Sequence, residues 1–92
     1  ILYNAMGQPF EAITLLQKSL KINERALPSN HPVLGSSYVD MGLVCCALSQ
    51  YFDALAYLNK AEKIYLESLH SHHPEMARLY FNMGFVHQTV GQ

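Results

Sequence analysis

The chain has 92 residues, half of them hydrophobic and 14% charged, with a formal net charge of −1; this is enough apolar material for one packed domain and no more. The near-neutral charge excludes the basic footprint of a nucleic-acid binder, and no run approaches the roughly 18 apolar residues of a membrane span. Cys45 and Cys46 are neighbours, not the framework of a disulfide-rich secreted domain, and no charged segment with an apolar stretch follows Ile1, so a reduced, cytoplasmic protein is expected.

In chain order, Gly7-Gln8-Pro9 reads as a tight turn that opens a helix from Phe10 to about Leu27, with Ile13, Leu16, Leu20 and Ile22 on its inner side. Pro28-Ser29-Asn30-His31-Pro32 is a connection, and its last proline suits a first helical turn because its missing N–H would be unpaired there. The next helix carries Leu34, Tyr38, Met41, Cys45 and Leu48, whose steps of four and three place them on one stripe. Ser49-Gln50-Tyr51 turns the chain into a helix from Phe52 to about Leu69, with Leu55, Leu58, Ala61, Ile64 and Tyr65 inside. After His70-Ser71-His72-His73-Pro74, Met76, Tyr80, Met83, His87 and Val90 repeat the earlier stripe before Gly91-Gln92. Five helical segments are expected, the first of them cut short. Strict alternation and Asn-Gly or Asp-Gly hairpin signals are missing, so no strand is expected.

These elements repeat at an offset of 42 residues: His31-Pro32 returns as His73-Pro74, Phe10 as Phe52, Ala12 as Ala54, Lys18 as Lys60, Tyr38 as Tyr80, and Met41-Gly42 as Met83-Gly84. A period in this range marks a solenoid whose units bury their apolar faces against neighbours. The scarcity of charge, below the roughly 25% usual in soluble domains, implies that part of the apolar surface is meant to be covered.

The repeated residues resemble a tetratricopeptide repeat. Tyr38, Met41-Gly42 and Cys45 stand at its aromatic, Leu-Gly and second aromatic positions, and Ala54, Leu58 and Ala61 at the Ala, Phe and Ala positions of the following helix. Tyr80, Met83-Gly84 and His87 match the next copy, and Tyr3, Ala12, Leu16 and Ser19 a truncated one. The usual unit has about 34 residues. The longer unit here, with its extended second helix and His-Pro start, is similar to the kinesin-light-chain type.

The resemblance implies an all-α, right-handed α-α superhelix, part of a longer array, as a single domain over 1–92. Residues 1–27 would form a partial first repeat, 34–69 a complete one, and 76–92 the first helix of the next. It also implies a non-enzymatic scaffold that binds a protein or peptide along a concave groove lined by first helices. The groove positions are Asn4, Ser36, Val39, Asp40, Leu43 and Cys46, then Arg78, Phe81, Asn82, Phe85 and Gln88. Phe81 and Phe85 form an aromatic pair with Val39 and Leu43 as counterparts, which suits apolar anchors on a peptide. Arg78 is the only Lys or Arg on these first helices, which argues against a clamp for an acidic C-terminus. The rival expectation is a structural spacer or an element that self-associates end to end.

No catalytic constellation is expected, and no cofactor. His70, His72 and His73 invite a metal reading, but they sit in a connection with only Glu75 beside them, and His73 matches the unclustered His31. A helix-opening role is the better fit for both His-Pro steps. Cys45 reads as a small buried hydrophobe, with no oriented base at helical spacing to make a nucleophile.

Overall fold

A computed structural model describes residues 9–69 and 73–91. Among them are four helices and no strand: α1 (Pro9–Ala26), α2 (Pro32–Ala47), α3 (Tyr51–Ser68) and α4 (Pro74–Val90). The architecture is an all-α helical repeat. Its centre is the α2–α3 pair; α1 lies against α2, and α4 packs mainly on α3 while touching α2. No described helix is long and apolar enough to cross a membrane. Ile1, Tyr3, Asn4, the Gly7-Gln8 turn, His70, His72 and Gln92 lie outside the described residues.

The two His-Pro steps open their helices in the same way. His31 Nδ1 accepts the Val33 N–H at 3.1 Å and His73 Nδ1 accepts the Glu75 N–H at 3.1 Å, with Pro32 and Pro74 next in line. Each ring thus satisfies one of the orphan donors of a helix start, as a Ser or Asp cap does elsewhere. The accepting Nδ1 carries no proton, so each imidazole holds its hydrogen on Nε2. At the other end of α2, Ser49 adopts φ 61°. The Ser49 N–H donates to the Cys46 carbonyl at 3.0 Å and the Gln50 N–H to the Cys45 carbonyl at 2.8 Å. That is the left-handed helix stop that usually falls to glycine.

Packing explains why the helices pair as they do. Leu58, 0% exposed, lies against Gly42, where an added Cβ would stand 3.0 Å from the Leu58 side chain and 3.3 Å from the Ala54 carbonyl. Two turns earlier, the Tyr65 ring fills the space that a side chain at Gly35 would need. Val39, Cys45, Ala54, Leu58, Ala61 and Tyr65 join Met76, Leu79 and Val86 of α4 in one buried cluster. A second cluster of Leu20, Leu34, Met41 and Ile64 ties α1 to the pair. The small residues let backbones approach, and the large ones fill what the approach leaves.

Four expected inner residues lie outside, Val90 at the end of α4 among them. Ile22 is 66% exposed although Ile64, 42 residues later, is 8% exposed. Tyr80 and His87 are exposed where their counterparts Tyr38 and Cys45 are half-buried and buried. The cause is shared: α3 covers α2 on the Tyr38–Gly42–Cys45 side, and no described helix covers α4 or α1 in the equivalent way. A Cβ built on Gly84, the counterpart of Gly42, meets nothing within 4 Å among the described residues. In α4 the buried stripe is Met76, Leu79 and Val86, with Met83 half-buried.

Candidate functional site

The expected groove residues divide between two surfaces. On α2, Ser36, Asp40 and Leu43 follow steps of four and three, so they share one face. All three are half-buried. Val39, expected beside them, is 1% exposed and belongs to the same packed cluster as Leu79 and Val86. Its place one residue before Asp40 turns it about 100° away, into the seam with α3 and α4. It is a core residue and offers nothing to a ligand. Cys46 is half-buried at the edge of that cluster.

Across the seam, Arg78 and Asn82 of α4 stand one turn apart, and the Arg78 guanidinium lies within electrostatic reach of Asp40. Ser36 Oγ and the Tyr65 hydroxyl share a hydrogen bond at 3.1 Å. Burial pushes the Asp40 carboxyl above the ordinary carboxylate range; the Arg78 guanidinium pulls it back in part, and the Glu75 carboxylate pushes it further up. Burial likewise raises the Tyr65 phenol, with Glu75, Arg78 and Asp40 all within electrostatic reach. Arg78 also meets Glu75 at 3.5 Å, an exposed pair that contributes little to stability. Ser36, Asp40, Tyr65, Glu75 and Arg78 therefore form one polar patch between α2 and α4. Sequence reading missed Tyr65 and Glu75 there. Tyr65 reads as an apolar packing residue in its helix, and only the pairing of α2 with α3 brings its hydroxyl to Ser36.

A half-buried carboxylate of raised pKa makes stability pH-dependent with a definite sign. The folded state holds the Asp40 proton more tightly than the unfolded chain, so ionisation at neutral pH costs stability, and the cost fades as pH falls through the folded-state value. Asp40→Asn is expected to raise the thermal midpoint at pH 7. The gain over the native chain should shrink toward zero below about pH 4, the ordinary aspartate value. Calorimetric scans across that range check both parts.

The second surface is the open side of α4. Tyr80, Phe81, Gly84, Phe85 and Gln88 line a shallow hollow of about 400 Å³. Phe81 is 75% exposed and Phe85 58%. Phe81 and Gln88 thus flank Gly84, on the face whose α2 counterpart is covered by α3, while Phe85 lies between that face and the Arg78–Asn82 side. The signal for this was in the sequence: Gly84 repeats Gly42.

Neither cysteine is placed for nucleophilic chemistry. Cys45 is buried, and burial, with Asp53 and Cys46 nearby, pushes its thiol up to about 11, so it stays protonated at neutral pH. His73 is committed to its helix cap, and among the described residues no three His, Cys, Asp or Glu side chains gather as metal ligands. Asn4, His70 and His72 lie outside the described residues.

None of the curated proteins compared matches the chain. The tetratricopeptide repeat family model matches residues 1–67 and again residues 34–92. Repeats of this family generally act as non-enzymatic scaffolds for protein–protein interaction. With two overlapping matches that together span the sequence, and a helical pair built on Gly42, Ala54, Leu58 and Ala61, the chain belongs to the tetratricopeptide repeat family.

Proposed function

We propose that this chain is a cytoplasmic interaction module that holds a short peptide segment of another protein against the inner wall formed by α2 and α4. The carrying observation is the polar patch of Ser36, Asp40 and Arg78 between α2 and α4, with Leu43 on the same face of α2 and the exposed rings of Phe81 and Phe85 on the open side of α4. The polar groups fix register and the apolar ones take anchors, the division of labour expected of a peptide groove. Asn82, able to donate and accept, suits the backbone of an extended peptide. Cys46 and Gln88, which share one position of the repeat, would extend the wall, and Asn4, the same position one period earlier, lies outside the described residues. The 42-residue period, the 18 residues of α3 and the His-Pro caps support a kinesin-light-chain-like subtype. On the same period, 1–27, 34–69 and 76–92 are the end of one repeat, a whole repeat and the start of a third.

The test is selection of peptides from a random display library on the native chain, followed by titration calorimetry. Phe81→Ala with Phe85→Ala, and separately Asp40→Asn with Asn82→Ala, should each weaken a selected peptide by roughly tenfold or more, about 1.4 kcal/mol. Circular dichroism should be unchanged for the phenylalanine pair, because both rings are exposed. Undiminished binding by both double variants would place the peptide elsewhere and end the groove reading.

A further inference from the structure

The inner wall carries few charges, and they do not cancel. Apart from His87 in the last turn of α4, the titratable acids and bases of α2 and α4 with a charge to offer are Asp40, Glu75 and Arg78. Two carboxylates face one guanidinium. Among the described residues the Asp40 carboxylate has no ion-pair or hydrogen-bond partner, and Arg78 pairs with Glu75 at 3.5 Å instead. Asp40 stands near the middle of α2, the described helix that packs against all three others. It is half-buried, and so are Ser36 and Leu43 on either side of it along the same face.

That placement constrains whatever covers the wall. Half-burial has already taken part of the hydration of the Asp40 carboxylate, and a peptide laid across Ser36 and Leu43 would take more. An ionised carboxylate covered without a partner is strongly unfavourable. A neutral amide relieves this only in part, because hydrogen bonds between two charged groups are the stronger ones. Protonating Asp40 instead requires taking up a proton from neutral solution. A cation relieves it fully, and the carboxylate it meets has lost much of its water in the free chain. We propose that the occupant of the inner wall is a basic peptide, whose lysine or arginine docks on Asp40 beside an apolar residue on Leu43; this presupposes the peptide groove and adds the charge of what fills it. The helix sets the spacing. Leu43 lies three residues beyond Asp40, about 4.5 Å along α2. An extended peptide advances about 3.3 Å per residue, so its apolar residue stands one or two positions from the basic one. The Ser36 hydroxyl, held by that of Tyr65 at 3.1 Å, keeps a lone pair for the same head group. Arg78 repels a cation from across the seam, but Glu75 offsets it, and one negative charge is left over. An acidic peptide would meet the wrong sign.

The test is parallel selection of random decapeptides displayed on phage, against the native chain and against Asp40→Asn. The native chain should enrich lysine or arginine one or two positions from an apolar residue, and Asp40→Asn should not. A selected peptide, and the same peptide with its basic residue exchanged for glutamine, are then titrated against both chains. The exchange should weaken binding to the native chain roughly tenfold and leave binding to Asp40→Asn nearly unchanged. Circular dichroism checks that Asp40→Asn keeps its helices. Three results overturn the basic occupant while leaving the groove standing: captured peptides with no excess of basic residues, captured peptides rich in acidic ones, or an equal loss on both chains, which would seat the cation elsewhere. Capture of no peptide by either chain ends the groove reading and the basic occupant together.

Discussion

Leu58→Ala is expected to remove about 2–5 kcal/mol of folding stability. Leu58 is fully enclosed between Gly42, Ala54 and Ala61, and its cluster continues through Val39 to Leu79 and Val86 of α4. Deleting its isobutyl group leaves a void bordered by backbone at Gly42 and Ala54, and helical backbone cannot fold inward to fill it. A small domain has about 5–15 kcal/mol in total, so the variant should sit near the edge of folding at room temperature. Leu16, its counterpart 42 residues earlier, is only half-buried, and the same truncation there should cost distinctly less. Urea denaturation of both variants checks this. Equal losses would mean that the two repeats carry the core equally, contrary to a core centred on α2 and α3.

The sequence made the helices and their punctuation readable because those depend on local chemistry. The His-Pro steps, the apolar stripes and the turn at Ser49 each lie within a few residues of what they control, so spacing alone locates them. The stripe of α2 and that of α3 hold in the structure, with Leu34, Met41, Cys45, Leu58, Ala61, Ile64 and Tyr65 all buried. The site was less legible, since burial depends on which neighbours a helix has. Val39 and Phe81 occupy one position of the repeat; α3 and α4 enclose the first, and nothing described encloses the second. Period arithmetic treats them as equivalent and so put both on the groove. The same arithmetic put Tyr80, His87 and Ile22 inside, where their counterparts are. The polar patch was half visible: Ser36, Asp40 and Arg78 stand out on first helices, whereas the Tyr65 hydroxyl reaches them only through the pairing of α2 with α3.

Gly35→Ala is expected to destabilise the fold by about 1–2 kcal/mol, although alanine is the better helix former by about 1 kcal/mol. The new Cβ would lie 2.8 Å from Cδ1 and 3.0 Å from Cζ of Tyr65, inside contact distance of a ring that is itself 1% exposed. The ring has little freedom to retreat: its hydroxyl is tied to Ser36, and Met76 and Leu79 pack in the same cluster. Overpacking of this kind costs about 1–3 kcal/mol, which outweighs the gain in helix propensity. Tyr65→Leu separates the two contributions, because it removes the obstructing ring while keeping an apolar residue. In that background Gly35→Ala should change sign and stabilise the protein by a few tenths to about 1 kcal/mol, leaving only the backbone benefit. A double-mutant cycle from urea denaturation measures the coupling directly. Additive effects would mean that the ring swings aside at little cost, and the close approach of α2 to α3 at Gly35 would then be permitted by the sequence without being required by it.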